Sequence, residues 1–411
     1  MIKFALEAKA QLQQAPAQPA KPRIQVSSRH HAQIKVIGVG GAGGNVLDTM
    51  IAAGVDGVEF IVANTDAQAL EDKHAKTRLQ LGSAMTRGLG AGGDPEVGRQ
   101  AAIESTAVIT EVIGKADMVF ITAGMGGGTG TGASPVIAQQ AKEAGALTVG
   151  VVTKPFCFEG RKRMKRADEG IEALKKCVDT LLIIPNERLL EIAGEDTAIE
   201  DAYAMVDNVL CHAVRGISDL ITTSGRVNVD FADVRAVMSR RGMALMGTGI
   251  RSGEGKASAA VHDAVSSPLL ANASIQGAKS VLINFRGNSK LTIGEINEAA
   301  KYVQEAAHED ADIFWGHVID ENMGESVEVT VIATGFDELK IEQSRIEMGK
   351  DREKELKVAN GGTIAPENLD VPTFIRGNAK NTSAMRVTRI SAGDSDFGDL
   401  DAPTFLRKQA D

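Results

Sequence analysis

Five short, largely apolar runs in the first half of the chain constrain its fold more than any other feature: IKVIGV at 34–39, VEFIVANT at 58–65, ADMVFITAG at 116–124, LTVGVVT at 147–153 and TLLIIP at 180–185. Each is followed by a glycine-rich turn or a polar loop and then by a helical stretch. Runs that are apolar at consecutive positions, rather than at alternate ones, suit strands covered on both faces. The pattern therefore predicts an α/β fold built on a parallel sheet with helices on either side.

A chain of 411 residues with 43% apolar content exceeds the usual size of one core, so two packed domains are expected. Residues 1–32, rich in Ala, Gln and Pro, read as a disordered extension, and 33–196 as the parallel-sheet domain. Residues 197–224 form a long central connecting helix, with Ile199, Ala202, Val206, Val209, Leu210, Val214, Ile217, Leu220 and Ile221 at helical spacing. A smaller α/β domain follows over 225–335; past Gly242 its expected order is helix, strand, helix, strand, strand. Residues 336–398 have the composition of a disordered linker, and 399–411 form a peptide with apolar anchors. Within this tail Leu369–Arg376 (LDVPTFIR) is echoed by Leu400–Arg407 (LDAPTFLR). Short apolar anchors of this kind can order in a partner's groove, and the alternative reading is a duplicated spacer.

The formal net charge of −9 argues against nucleic-acid binding through bulk charge. Cys157, Cys177 and Cys211 have neither metal-ligand spacing nor an even-numbered framework, which fits a reducing compartment. Glu7 and Lys9 interrupt any signal-peptide core, and no stretch reaches the ~20 apolar residues of a membrane span. The expectation is a soluble cytoplasmic protein without direct membrane insertion.

Two glycine loops carry the chemistry. Gly38-Val39-Gly40-Gly41-Ala42-Gly43-Gly44-Asn45 joins a strand to a helix, where backbone N–H groups and the helix dipole favour phosphate. On its own it also satisfies the dinucleotide pattern through Gly38, Gly40 and Gly43, with Asp66 about where a ribose-binding acid would stand, so a nicotinamide-dependent oxidoreductase is an alternative. The second loop, Gly124-Met125-Gly126-Gly127-Gly128-Thr129-Gly130-Thr131-Gly132, sits between another strand and helix and has six glycines in nine positions. Two such loops suit a triphosphate better than a dinucleotide, and neither matches a P-loop. A third cluster, Gly88–Pro95, reads either as a helix start capped by Asp94 or as a mobile loop near the terminal phosphate.

In combination with Asn64-Thr65-Asp66, Phe158-Glu159-Gly160-Arg161-Lys162-Arg163, Pro185-Asn186 and Asn228-Val229-Asp230-Phe231-Ala232-Asp233, these loops closely resemble the tubulin/FtsZ family over about residues 34–335 and the last dozen. The resemblance implies GTP and GDP as ligands. Gly41, Ala42, Gly43, Gly44, Gly126, Gly127, Gly128, Thr129 and Gly130 would hold the phosphates, Glu159 and Arg163 would reach ribose and phosphates, and Asn186 would join the site. Asn45 would stand at the guanine. Tyr203 and Asp207, four apart on the central helix, share a face on which a ring can stack on a base and a carboxylate can accept two N–H donors. The family commonly has Phe at the Tyr203 position, and the ring is kept.

By the same resemblance Asn228, Asp230 and Asp233 project from the face opposite the nucleotide and complete the next subunit's site, orienting water beside a γ-phosphate neutralised by Mg²⁺. The residue chemistry alone also allows Asp230 and Asp233 simply to cap a helix. The C-terminal domain would thus activate the neighbour's GTPase, and the chain would polymerise head to tail into the bacterial division ring at mid-cell. Asp401, Pro403, Phe405, Leu406 and Arg407 match the family's C-terminal peptide, which binds membrane-tethering and regulatory division proteins.

Overall fold

The computed structural model describes residues 32–194, 196–223, 225, 227, 229–239, 242–270 and 275–336. The expected N-terminal extension up to residue 31, the linker from residue 337 and the C-terminal peptide lie outside the described residues.

Among the described residues ten strands form one sheet in the order β3-β2-β1-β4-β5-β6-β7-β10-β8-β9. Its first half is wholly parallel: β1 (Ile34–Val39), β2 (Val58–Asn64), β3 (Thr77–Gln80), β4 (Met118–Gly124), β5 (Leu147–Lys154) and β6 (Thr180–Pro185). Successive residues feed two cores. Val36, Phe120 and Val151 pack with Val46, Leu47 and Met50 on one face, and Ile37, Ile121 and Val152 pack with Ile109, Ile137 and Leu174 on the other. Burial on both faces is why these strands read as unbroken apolar runs. Each such side chain removed from water contributes about 1.5–3 kcal/mol.

The second half begins with β7 (Gly242–Ser252), which continues the sheet through the parallel pairs Thr180↔Gly242 to Leu182↔Ala244. It then runs antiparallel to β10 (Ser326–Thr334), which pairs antiparallel with β8 (Ser280–Gly287); β8 pairs in parallel with β9 (Asp312–Ile319). The sequence reading starts this region with a helix and misses β7. Gly247 and Gly249 dilute its strand pattern, and they are there because the helix Lys256–Val265 packs against the strand backbone. A Cβ at either would lie 1.9 Å from Ala264 O or 2.1 Å from Ala260 O.

The central helix spans Ile199–Thr222, 24 residues and about 36 Å. Leu210, Val214 and Ile217 enter the core shared with β1, β4 and β5. On its other flank Gly216 lets β10 approach, since a Cβ there would meet Thr330 Cγ2 at 2.8 Å, and Asn284 Nδ2 donates to Gly216 O at 3.1 Å. Charged groups line this seam. His212 Nδ1 lies 2.6 Å from Glu328 Oε1, and Arg286 bridges Glu328 and Asp320. Burial opposes the charge on Glu328, but His212 and Arg286 hold its carboxyl below the usual range. Asp219, 7% exposed, is pushed up to about 6 by burial, against the pull of Arg286 and Arg215.

Candidate nucleotide site

The sheet order places β2 on one side of β1 and β4 on the other, so the chain reverses direction across the sheet between β1 and β4. A crevice opens at the carboxyl ends of parallel strands at such a switch point. Both glycine loops are there: the helix Gly40–Ala52 starts directly after β1, and the helix Thr129–Glu143 starts five residues after Gly124 ends β4. Neither helix has a side-chain cap or an acid in its first turn. Their leading N–H groups and dipoles are thus available to an anion.

The glycines of these loops divide into two kinds. Most let backbones touch. A Cβ on Gly43 would stand 2.5 Å from Thr122 O, one on Gly130 would stand 2.7 Å from Gly124 O, and one on Gly128 would lie 2.8 Å from Ala91 Cβ and 3.0 Å from Asp94 N. Gly41 and Gly127 differ, with nothing within 4 Å of the added atom. Those two positions face open space at the mouth of the crevice.

Neighbouring loops close around them. Thr65, after β2, shares a 2.6 Å hydrogen bond with Thr129, and Gly126 N donates to Thr131 Oγ1 at 2.8 Å. In the third glycine cluster the capping reading holds: Asp94 Oδ1 accepts from Glu96 N at 2.9 Å at the head of the helix Pro95–Glu104. The same loop also packs on Gly128. Asp66 caps the short helix Ala67–Glu71, accepting from Ala69 N at 3.2 Å, so the carboxylate that supported the oxidoreductase alternative has a local role.

At the far end of the crevice the loop after β5 folds over Phe156, which is buried. Phe158 stacks on it at 5.0 Å, and Tyr203 meets it edge-on at 5.4 Å. Glu159 accepts from Phe156 N at 2.9 Å and pairs with Arg163 Nε at 3.0 Å. Asn186, directly after β6, is buried, and its Oδ1 has no hydrogen-bond partner among the described residues. Asp207, one turn beyond Tyr203, is pushed up to about 6 by burial, with Lys73 lowering and Asp48 raising it. Sequence reading overlooked Phe156 and Lys73; only the Phe-x-Phe spacing after β5 could have pointed to the first.

The acids lie elsewhere. Asp230 caps the helix Phe231–Met238, accepting from Asp233 N at 2.8 Å. Three side-chain bonds fix that helix: Arg235 Nη2 donates to Gly145 O at 3.1 Å, Thr180 Oγ1 donates to Met238 O, and Thr334 Oγ1 donates to Val237 O at 3.2 Å. Gly145 precedes β5 and Thr180 opens β6, so the helix stands at the amino edge of the sheet. Asn228 lies outside the described residues.

Comparison with known proteins bears directly on this arrangement. Residues 33–194 match the GTPase domain of the tubulin/FtsZ family, and 242–337 match the C-terminal domain of the FtsZ family. The cell division protein FtsZ of Pseudomonas aeruginosa is 49% identical over 397 residues, covering 92% of this chain and 97% of that one. The same protein of Coxiella burnetii is 49% identical over 384 residues, covering 93% and 97%. The chain belongs to the FtsZ family of cell-division GTPases. Among solved structures, an empty FtsZ dimer of M. jannaschii aligns with a TM-score of 0.71 at 44% identity, over 81% of this chain and 92% of that one.

Membership in the FtsZ family assigns GTP and GDP to the chain as ligands. No described helix is long and apolar enough to cross a membrane.

Proposed function

We propose that the chain holds GTP across the carboxyl edge of its parallel sheet and hydrolyses it when the amino edge of the next copy closes over the γ-phosphate. Catalysis and head-to-tail assembly are then one event. The observation that supports this most is the separation of the two half-sites. Arg235 and Met238 tie the acid-bearing helix to Gly145 and Thr180, whereas the phosphate loops lie at the opposite ends of the strands. An eight-residue strand such as β5 is about 26 Å long. A carboxylate on one side of it does not reach a phosphate on the other within a single subunit.

In this reading Gly41–Gly44 and Gly126–Gly130 donate backbone N–H groups to the phosphates, with Thr129 adding a hydroxyl. Glu159, Arg163 and Asn186 meet ribose and phosphate, and Asn45, Tyr203 and Asp207 take the guanine. In trans, Asp233, with Asp230 and Asn228, orients the attacking water and accepts its proton. The cap from Asp230 to Asp233 N sets the position of the second acid. Residues 33–196 then act as the GTP-binding domain, and 225–335 as the domain that completes the neighbour's site. Two different edges that meet form a heterologous contact, which propagates as an open filament.

Mg²⁺ belongs to the same proposal. Among the described residues no group of three or more His, Cys, Asp or Glu could hold a metal, which fits an ion kept mainly by phosphate oxygens and water. When bound it would neutralise phosphate charge. The peptide containing Asp401, Pro403, Phe405, Leu406 and Arg407 is read as the docking site for membrane-tethering and regulatory division proteins, which would hold the filament at the cytoplasmic face of mid-cell. The copy at 369–376 adds avidity, so its removal should weaken adaptor binding.

Phosphate release from GTP with Mg²⁺, measured per subunit over a range of protein concentrations alongside light scattering, tests the central claim. Specific activity should be near zero in dilute solution and rise together with scattering. Activity per subunit that does not change with concentration would overturn the shared site.

A further inference from the structure

Lys73 belongs to no motif, yet its ammonium sits at the base end of the crevice. It follows the helix Ala67–Glu71, and its side chain is only 14% exposed. Its Nζ donates to Asn45 Oδ1 at 2.6 Å and to Asp48 Oδ2 at 3.0 Å. Its stem covers Gly44, with Cε 3.0 Å from where a Cβ would stand. His74 holds the other oxygen of Asp48, through its backbone N at 2.9 Å and its Nδ1 at 3.1 Å. Although burial opposes it, these bonds keep the Asp48 carboxyl below the usual range.

An ammonium has only donors to offer, so Asn45 turns its oxygen toward Lys73 and its NH₂ group away. Asp207 approaches the same place from the central helix, which packs against the helix Gly40–Ala52. A donor on Asn45 and an acceptor on Asp207 are thereby both under the influence of the Lys73 charge. Guanine presents the matching sequence, with O6 and N7 as acceptors and N1–H and N2–H as donors. Adenine reverses the order at its exocyclic group.

We infer that Lys73 is a positioning residue for guanine recognition, fixing the Asn45 amide as a donor toward the base opposite the Asp207 carboxylate. This rests on the reading of the crevice as a guanine site. Lys73 also acts through its charge. The charged and titratable groups around Asp207 are Lys73 from the segment before β3, Asp48 from the helix Gly40–Ala52 with its partner His74, and Tyr203 and Cys211 one turn away on its own helix. Lys73 is the one cation among those acting on Asp207, whose carboxyl must be ionised to accept two N–H donors.

The test measures binding of GTP, ITP and ATP to the full-length protein from pH 5.5 to 8, for the wild type, Lys73→Met and Lys73→Arg. The Met variant should lose about tenfold in affinity for GTP and ITP alike at pH 8, because both bases share O6 and N7. The pH at which it loses GTP should also move up by about half a unit, since an absent cation leaves Asp207 easier to protonate. Lys73→Arg keeps charge and donors and should stay within about threefold of the wild type. A Met variant within about twofold of the wild type, with an unmoved pH midpoint, would overturn the role of Lys73. A wild type that binds ATP as tightly as GTP would instead sink the guanine reading itself. Should the Met variant fail to fold, Lys73→Gln carries the same measurement: it keeps a donor without the charge, so a raised midpoint supports the inference and an unmoved one refutes it.

Discussion

At the carboxyl edge of the parallel sheet, the helices that begin at Gly40 and Thr129 have no side-chain cap and no acid in the first turn. At the amino edge, the helix that begins at Phe231 is capped by Asp230 and carries Asp233 in its first turn. Both edges use the same element, a helix N-terminus with unsatisfied N–H groups and a positive dipole end. Where the chain supplies its own carboxylates, the terminus is satisfied and presents negative charge. Where it supplies glycine instead, the terminus is left without a carboxylate, as the proposed phosphate site requires. In the proposed reading the two edges of one subunit complement each other, and, a strand's length apart, they meet only between copies.

The sharpest way to break this comparison is Asp233→Ala. Turnover should fall at least about a hundredfold, in line with loss of a positioned acid or base, while GTP affinity stays within about twofold. Equal loss of binding and turnover would place Asp233 in the binding site of its own subunit. Mixing that variant in equal amounts with Asp207→Ala, which keeps a sound amino edge, should restore turnover to about a quarter of the wild-type value, because a quarter of head-to-tail junctions join two intact edges. Failure of the mixture to exceed the sum of its parts would count against a site shared between copies.

The division among the loop glycines can be tested within the carboxyl edge. Gly43→Ala drives a methyl into Thr122 O and should cost about 1–3 kcal/mol in thermal or urea unfolding. Gly41→Ala meets nothing, so it should leave unfolding unchanged and instead weaken GTP binding. If both variants behave alike in unfolding, the distinction between packing glycines and ligand-facing ones is wrong.

The smallest expected effect concerns the central helix, which spans both edges and has a carboxyl raised to about 6 toward each end, Asp207 and Asp219. A carboxyl with a folded value above its unfolded value keeps a proton in the folded state that the unfolded chain has already released. Its contribution is therefore intact below about pH 4, is lost as pH rises toward 6, and stays lost above. Asp219→Asn should remove that loss, stabilising the nucleotide-free protein by about 1–2 kcal/mol at pH 7 and flattening its profile between pH 4 and 6. A profile that stays as steep as the wild type would assign the pH dependence to other groups. Asp207 gives the opposite readout through its ligand: GTP binding should weaken as pH falls through 6.

Much of this architecture was legible in the residues. The unbroken runs at Ile34–Val39 and Met118–Gly124 announced strands buried on both faces, and they are the two that flank the switch point. Helical spacing from Ile199 to Ile221 marked the central helix to within two residues of its ends. β7 escaped notice because its glycines serve a helix that packs on it, a requirement that comes from a partner far along the chain. The third glycine cluster could be divided only once Asp94 was found accepting from Glu96 N.

Local chemistry written along the chain, apolar periodicity, glycine where backbone must stay bare, and a ring and a carboxylate four residues apart, determined by itself a parallel sheet, two glycine loops that each lead into a helix, and one helix face shared by Tyr203 and Asp207. Tertiary structure alone decided which glycines touch backbone and which face open space, that Lys73 holds the Asn45 oxygen, and that Asp233 stands a strand's length from the two glycine loops. The reason is physical. Periodicity and capping depend on neighbours within about one helical turn, whereas contact and separation depend on how strands distant in sequence are ordered across the sheet.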